Sequence, residues 1–233
     1  MVIPRQTGAG TAYSVSEIAG LTISNQQIDQ LPLSPKRVGA YGQYSKQLLM
    51  QASIDVENFI RDDLLKVIAI DWDRLILNGS GAGSEPLGIM QTPGVGSLAF
   101  GAAATYANLV AFKTFVATAN ADVGEMAYVT TPTAEGKLRS AAKLLTGATT
   151  VAATALWEGP FGSDSPDGIV AGFRAASTNQ IPGNLMVFGV FSQVIHAMWG
   201  GYDVVVNPYS LDTNAEVRVT INTFGDVALR HPQ

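Results

Sequence analysis

Apolar and polar residues alternate along this chain with two different periods. Between residues 56 and 76 the apolar positions Val56, Ile60, Leu64, Ile68, Trp72 and Leu75 recur every three or four residues, and Phe59, Leu65, Ala69 and Ile76 widen the stripe. That spacing predicts an amphipathic helix. A helix over about 54–77 at 1.5 Å per residue is a rod of roughly 36 Å, long enough to be the backbone of an elongated domain. Ser53 is placed to cap it, and Asp55 and Glu57 put negative charge where the helix dipole favours it. The opposite face, with Arg61, Asp62, Asp63, Lys66, Asp71 and Asp73, is expected to meet water.

Elsewhere the period is nearer two. From Gly8 to Gln43, short apolar runs (Thr11, Tyr13, Val15, Ile18, Leu21, Ile23, then Ile28, Leu31, Leu33, Val38, Tyr41) read as a β-hairpin arm bending near Asn25, Pro32 and Pro35. A two-stranded ribbon is marginal in water, so this arm must lie on something, and a neighbouring subunit is the economical partner. Further strands are expected at Tyr44–Gln51, from Gly88 to Gln91, at Glu125–Thr130, around Trp157, and at Gly168–Phe173, Asn184–Gly189 and Val204–Pro208. The longest alternation runs from Val217 to Arg230. Helices are expected over Thr105–Thr118 and from a Thr133 cap through Leu145, and Thr146–Asp167 reads as a surface loop. Helices and strands in this order define an α+β chain.

Composition narrows what such a fold is for. Of 233 residues 47% are hydrophobic, so a core can form, yet only 14% are charged, against about 25% in ordinary soluble domains. Much of the surface is therefore uncharged and available for contact. The net charge is −5 with no basic run, which argues against tight phosphate binding but leaves a container for nucleic acid open. Absence of cysteine removes disulfides, thiolate nucleophiles and thiolate metal sites together. There is no signal-peptide pattern at Met1–Arg5 and no apolar run of roughly 18 residues, so no membrane association is expected.

Where the long helix stops, the chain reads Asn78-Gly79-Ser80-Gly81-Ala82-Gly83-Ser84-Glu85-Pro86-Leu87-Gly88-Ile89. Asn78, Gly79, Gly81, Pro86 and Gly88 are read as a structural turn: glycines permit a left-handed helix stop, and Pro86 directs the chain onward. The same run follows a helix and lacks the phosphate-loop lysine, so it is not read as an anion cradle. Asn78 stands where a nucleophile elbow needs glycine, which sets aside Ser80 as a nucleophile. Among the rest, Tyr128-Val129-Thr130-Thr131-Pro132, Gly189-Val190-Phe191, Gly200-Gly201-Tyr202-Asp203-Val204 and Gly225-Asp226-Val227-Ala228-Leu229-Arg230 follow in order.

Taken together with the arm and the long helix, this order resembles the major capsid proteins of tailed phages that have the Hong Kong 97 fold. The resemblance implies residues 1–7 as an amino-terminal arm and 8–43 as an extended hairpin loop reaching over an adjacent subunit. It implies 44–100 and 207–233 as a peripheral domain and 101–206 as an axial domain at a capsomer centre. Hexameric and pentameric capsomers of this one chain would close an icosahedral shell around double-stranded DNA, without sequence-specific binding. Scaffold, portal and decoration proteins are the possible partners, and the virion, assembled in host cytoplasm, is the location. Many family members carry a long amino-terminal scaffolding segment that this chain does not show, so a separate scaffold or an upstream part is expected. Some members cross-link subunits through an arm lysine. Lys36 offers an amine, but Glu216 and Asn222 offer no clear register, and no cross-link is expected.

Lys36 and Arg37 are the candidates for subunit contact, because a charged arm tip can pair with acids on a neighbour and set register. His196 is read as a packed or interface histidine, and the acids Asp62, Asp63, Asp71 and Asp73 as a solvated face. No catalytic, cofactor or metal residue is assigned, and no cofactor is expected. Three rivals remain: an encapsulin-type protein nanocompartment, an enzyme whose site is unrecognised, and a monomeric binding module.

Overall fold

The apolar stripe of the long helix finds its partner in the alternating strand at the other end of the sequence. The computed structural model describes residues 1–52, 55–100, 104–143, 154–159 and 168–232. In chain order these form β1 (Val2–Gly8), β2 (Gln27–Pro32), β3 (Lys36–Ser45), α1 (Lys46–Gln51), α2 (Val56–Asn78), α3 (Tyr106–Thr118), β4 (Ala127–Thr130) and α4 (Pro132–Ser140). There follow β5 (Trp157–Glu158), β6 (Gly168–Val170), β7 (Phe173–Ser177), β8 (Met186–Gly189), β9 (Val194–Met198), β10 (Asp203–Asn207) and β11 (Glu216–Leu229).

β11 is the centre of the first lobe. It pairs antiparallel with β3 along one edge (Glu216↔Ser45 to Gly225↔Lys36) and with β10 and then β9 along the other. Alternate residues of β11, Val217, Val219 and Ile221, together with Val227, bury against Leu64, Ile68, Trp72 and Leu75 of α2 and Tyr44 of β3. The helix stripe and the strand's period of two thus cover each other. Gly225 allows the closest approach: a Cβ there would lie 2.6 Å from Cη2 of Trp72 and 3.0 Å from the Ala197 carbonyl oxygen.

In the second lobe α3 and α4 cover a five-stranded sheet of order β5-β6-β7-β4-β8, in which β4 and β7 run parallel. Its core gathers Leu109, Tyr128, Leu138, Leu156, Trp157, Val170 and Ala175. The Tyr128 ring stacks at 4.2 Å on Phe188, and its hydroxyl donates to the Leu109 carbonyl at 2.8 Å, while burial pushes its pKa up. A third cluster, Leu77, Ile89 and Ile181 with Ile76, Val129, Val187 and Val194 against it, joins the lobes.

Several expectations are corrected here. The strand expected at Tyr44–Gln51 ends at Ser45, whose Oγ accepts the Leu48 N–H at 3.2 Å and starts α1; Lys-Gln-Leu-Leu-Met is a run of good helix formers. Asp55, not Ser53, caps α2, and residue 53 lies outside the described residues. Thr131, not Thr133, caps α4, because Pro132 fits the first helical position, where no N–H is needed. That helix ends at Ser140, and Leu145 lies outside the described residues.

Gly88–Gln91 turns as a 3₁₀ helix from Ile89 instead of extending. Of the loop expected at Thr146–Asp167, residues 154–159 are described and contain β5. The outer side of α2 is not purely polar, since Phe59, Val67 and Ile70 are exposed there among the acids. β9 was not expected at all, and both β9 and β10 belong to the sheet of β11, although β9 and all of β10 but Asn207 fall within 101–206.

Replacing Gly225 by Ala is expected to lower the unfolding free energy by about 1–3 kcal/mol, the usual cost of overpacking. A smaller ring in Gly225→Ala/Trp72→Phe should cost less than the sum of the two single changes. Urea unfolding of the three variants measures this, and strictly additive costs would contradict the contact.

Candidate assembly site

The arm leaves the body as a two-stranded ribbon with a long exposed connection. β1 and β2 pair antiparallel from Val2↔Pro32 to Gly8↔Gln27, with an irregularity between Gln6 and Gly8. The hairpin expected over 8–43 is therefore built from Val2–Gly8 and Gln27–Pro32, because the stretch from Lys36 onward is claimed by β11. Arg5 reaches across to Asp29 at 3.0 Å. The Asp29 carboxyl is held below its ordinary range, first by the Gln30 N–H it accepts and then by Arg5.

Between the strands, every residue from 9 to 23 is exposed. Ile18 is 96%, Leu21 70% and Ile23 85% exposed, and Glu17 is the one charged residue from 9 to 26. A tip turn (Ala19 N–H to Ser16 O, 3.0 Å) and a bond from Thr11 N–H to Ser24 Oγ (2.7 Å) give it local shape without a core. Burying one such side chain is worth about 1.5–3 kcal/mol, and Ile18, Leu21 and Ile23 are all left with their apolar surface in water.

Lys36 and Arg37 stand at the arm's root, not its tip. Lys36 Nζ lies 3.3 Å from Asp226 Oδ1, and Arg37 Nε donates to Asn222 Oδ1 at 3.0 Å. Both cations are thus turned to partners in their own chain. The exposed apolar residues of the tip were present in the alternation but were not singled out as candidates.

The turn after α2 is held by close backbone approach. Gly79 ends the helix with φ −59° and ψ 137°, so the left-handed stop expected there does not occur; φ turns positive later, at Gly81 (+69°) and Gly83 (+62°). Gly79 and Gly88 are glycine for space: a Cβ on Gly79 would meet the Pro86 and Leu75 carbonyl oxygens, and one on Gly88 would meet the Gly79 and Asn78 amides. Gly88 N–H donates to Gly79 O (2.9 Å), Gly81 N–H to Pro86 O (3.0 Å), and Gln91 Nε2 to Asn78 Oδ1 (3.0 Å). Pro86 is fully buried.

Across this loop, Glu85 accepts from Ser80 Oγ (2.6 Å), from the Ser80 N–H (3.2 Å) and from Arg74 (3.1 Å), while Arg74 also binds Asp71 (2.8 Å). The Ser80 hydroxyl is the largest cause that holds the Glu85 carboxyl below its ordinary range, followed by the Ser80 amide and Arg74. An amide that a phosphate would use is already given to a carboxylate of the same loop.

His196, on β9, lies with its ring 4.7 Å from that of Trp72, and burial of that face lowers its pKa. Asp71 pairs with Arg74, and among the described residues no group of three or more histidines, cysteines or acids is gathered to hold a metal. Among those residues no helix is long and apolar enough to cross a membrane.

One lobe is built on a long helix, a second on a five-stranded sheet, and the arm carries an exposed apolar tip. The chain belongs to the phage capsid family, whose model matches residues 1–233. It is 30% identical over 205 residues to the major capsid protein of Halomonas phage phiHAP-1, covering 88% of this chain and 32% of that protein. Identity to the major capsid protein of Klebsiella oxytoca phage phiKO2 is 28% over 89 residues, 38% of this chain and 21% of that one. The chain thus spans about a third or less of the length of these relatives. Among solved structures, the capsid of a native GTA particle superposes with a TM-score of 0.74 at 15% identity, over all of this chain and 82% of that one. A Gordonia phage Cozz chain gives 0.68 at 12% identity, over 99% of this chain and 78% of that one. The Hong Kong 97 capsid fold implied by the order of motifs is the fold observed.

Gly88→Ala is expected to cost about 3 kcal/mol, since backbone would have to move, whereas Gly83→Ala, strained only by its left-handed φ, should cost about 1–2 kcal/mol. Equal costs would contradict the role of close approach. Glu85→Gln should lower stability at neutral pH. The folded pKa of Glu85 lies below the unfolded one, so its contribution is complete above about pH 4.3 and is lost as pH falls through the folded pKa. Urea titrations of parent and Glu85→Gln should therefore converge in acid; a gap that persists there would be the contrary result.

Proposed function

We propose that this chain is the shell-building part of a phage major capsid subunit. Copies assemble into hexameric and pentameric capsomers that close around double-stranded DNA. The observation that carries the reading is the arm's apolar tip, which its own chain leaves bare; in the proposed shell an adjacent copy completes it. In this arrangement the lobe of α2 and β11 is peripheral and the lobe of α3 and the five-stranded sheet is axial. Repetition makes each modest contact effective, because an interface repeated around a closed symmetry cannot be lost singly.

The net charge of −5 suits a wall that encloses DNA without gripping it. Family membership and the two major capsid relatives support a phage head over a protein nanocompartment. The subunit's role is mechanical, with no catalytic step, and its place is the virion after assembly in the host cytoplasm. Scaffold, portal and decoration proteins would be its further partners.

Electron microscopy of the purified protein at high concentration tests this. The parent chain should give closed shells or rings of five and six subunits. Ile18→Asp/Leu21→Asp should remain dispersed with an unchanged circular dichroism spectrum. A parent that stays monomeric, or a double variant that assembles as well as the parent, would count against the proposal.

A further inference from the structure

Only two residues, Ser34 and Pro35, connect the arm to the body. The ladder of β1 and β2 continues one pair further, as Met1 and Leu33 exchange backbone hydrogen bonds at 2.8 Å, and Leu33 is buried. β3 then begins at Lys36, which pairs with Gly225 of β11. An arm hung on so short a joint would swing unless something held the joint on both sides.

Asp226 does that from a strand almost two hundred residues away. It is only 5% exposed. Its Oδ2 accepts the Ser34 N–H at 2.9 Å, before Pro35, and its Oδ1 faces Lys36 Nζ at 3.3 Å, after it. Oδ1 also accepts the Val227 N–H at 2.9 Å, which fixes the carboxylate to its own strand. Three donors around one buried carboxylate are charge-assisted and directional. Pro35, between the two anchors, has a fixed φ and no N–H of its own.

The position of Asp226 in β11 follows from its neighbour. Gly225 is the last residue of β11 paired with β3, and it is pressed against Trp72 on the helix side. The next side chain therefore points to the other face, just beyond the end of β3, where the joint passes. Lys36, read from the sequence as a contact for a neighbouring subunit, is in this geometry part of the clasp.

We infer that Asp226 is a positioning residue for assembly: its buried carboxylate clasps the Ser34–Pro35 joint from both sides and fixes the direction in which the arm leaves the body. This rests on the assembly reading only for its consequence, since an arm pre-set in one direction loses less freedom when it docks. The clasp itself is a property of the single chain, so it can fail while that reading stands, and the reverse.

The chain has no cysteine, so paired spin labels can be placed cleanly at Gln30→Cys on β2 of the arm and Asp62→Cys on α2, both exposed. Labelled chains are diluted into unlabelled ones, so that only distances within a chain are read by double electron–electron resonance. The parent should show one narrow distance distribution. Asp226→Ala should widen it about twofold or more, as a freed hinge does. Asp226→Asn, which keeps the size but loses the ion pair and one acceptor, should lie between and covers the case in which the alanine variant fails to fold. Widths equal to the parent in a folded Asp226→Ala or Asp226→Asn protein would overturn the inference.

Discussion

The packing of α2 on β11 is the constraint from which the rest follows. A helix of 23 residues and a strand of 14 bury each other's apolar face, with Trp72 seated on Gly225 at the point of closest approach. β11 is also the shared partner of β3, β9 and β10. The chain's last strand therefore closes a frame begun by its third. Most of these pairings join distant parts of the sequence, which makes the frame slow to form and cooperative once formed.

Two features at opposite ends of that frame depend on it. At one end, the turn after α2 leaves the helix through glycines that admit backbone at close range and through the Arg74–Glu85–Ser80 bonds, then returns Ile89 to the cluster that joins the lobes. At the other, β11 presents Asp226 to the arm's root. Rigidity there contrasts with the arm's tip, which has few internal bonds and no core. Local stability in proteins is uneven in this way, and the proposed role of the tip in binding a neighbour places it at the low end.

Where periodicity was long, the fold was legible. The stripe from Val56 to Leu75 and the alternation from Val217 to Leu229 were each read from the sequence, because a dozen or more positions repeat one period. Short segments misled. Tyr44 continues a strand, but Ser45 caps a helix one residue later, and a local cap overrides alternation. Ile89 is apolar, yet the preceding glycine packs against backbone and the chain turns. β9 pairs with β11 through residues whose alternation is too brief to announce a strand. At the candidate site, Lys36 and Arg37 were visible as charges, but their partners Asp226 and Asn222 lie 185 residues or more away. Such pairing has no local signal.

Capsid building, on this account, is a matter of completing outside the chain what the chain leaves incomplete inside it. Hydrogen–deuterium exchange of the protein in dispersed and assembled form tests that claim most directly. Residues 9–26 should exchange rapidly when dispersed and become protected on assembly, while the amides of α2 and β11 stay protected in both. Equal, rapid exchange of the arm in assembled particles would contradict the account, because the arm would then have no partner in the shell.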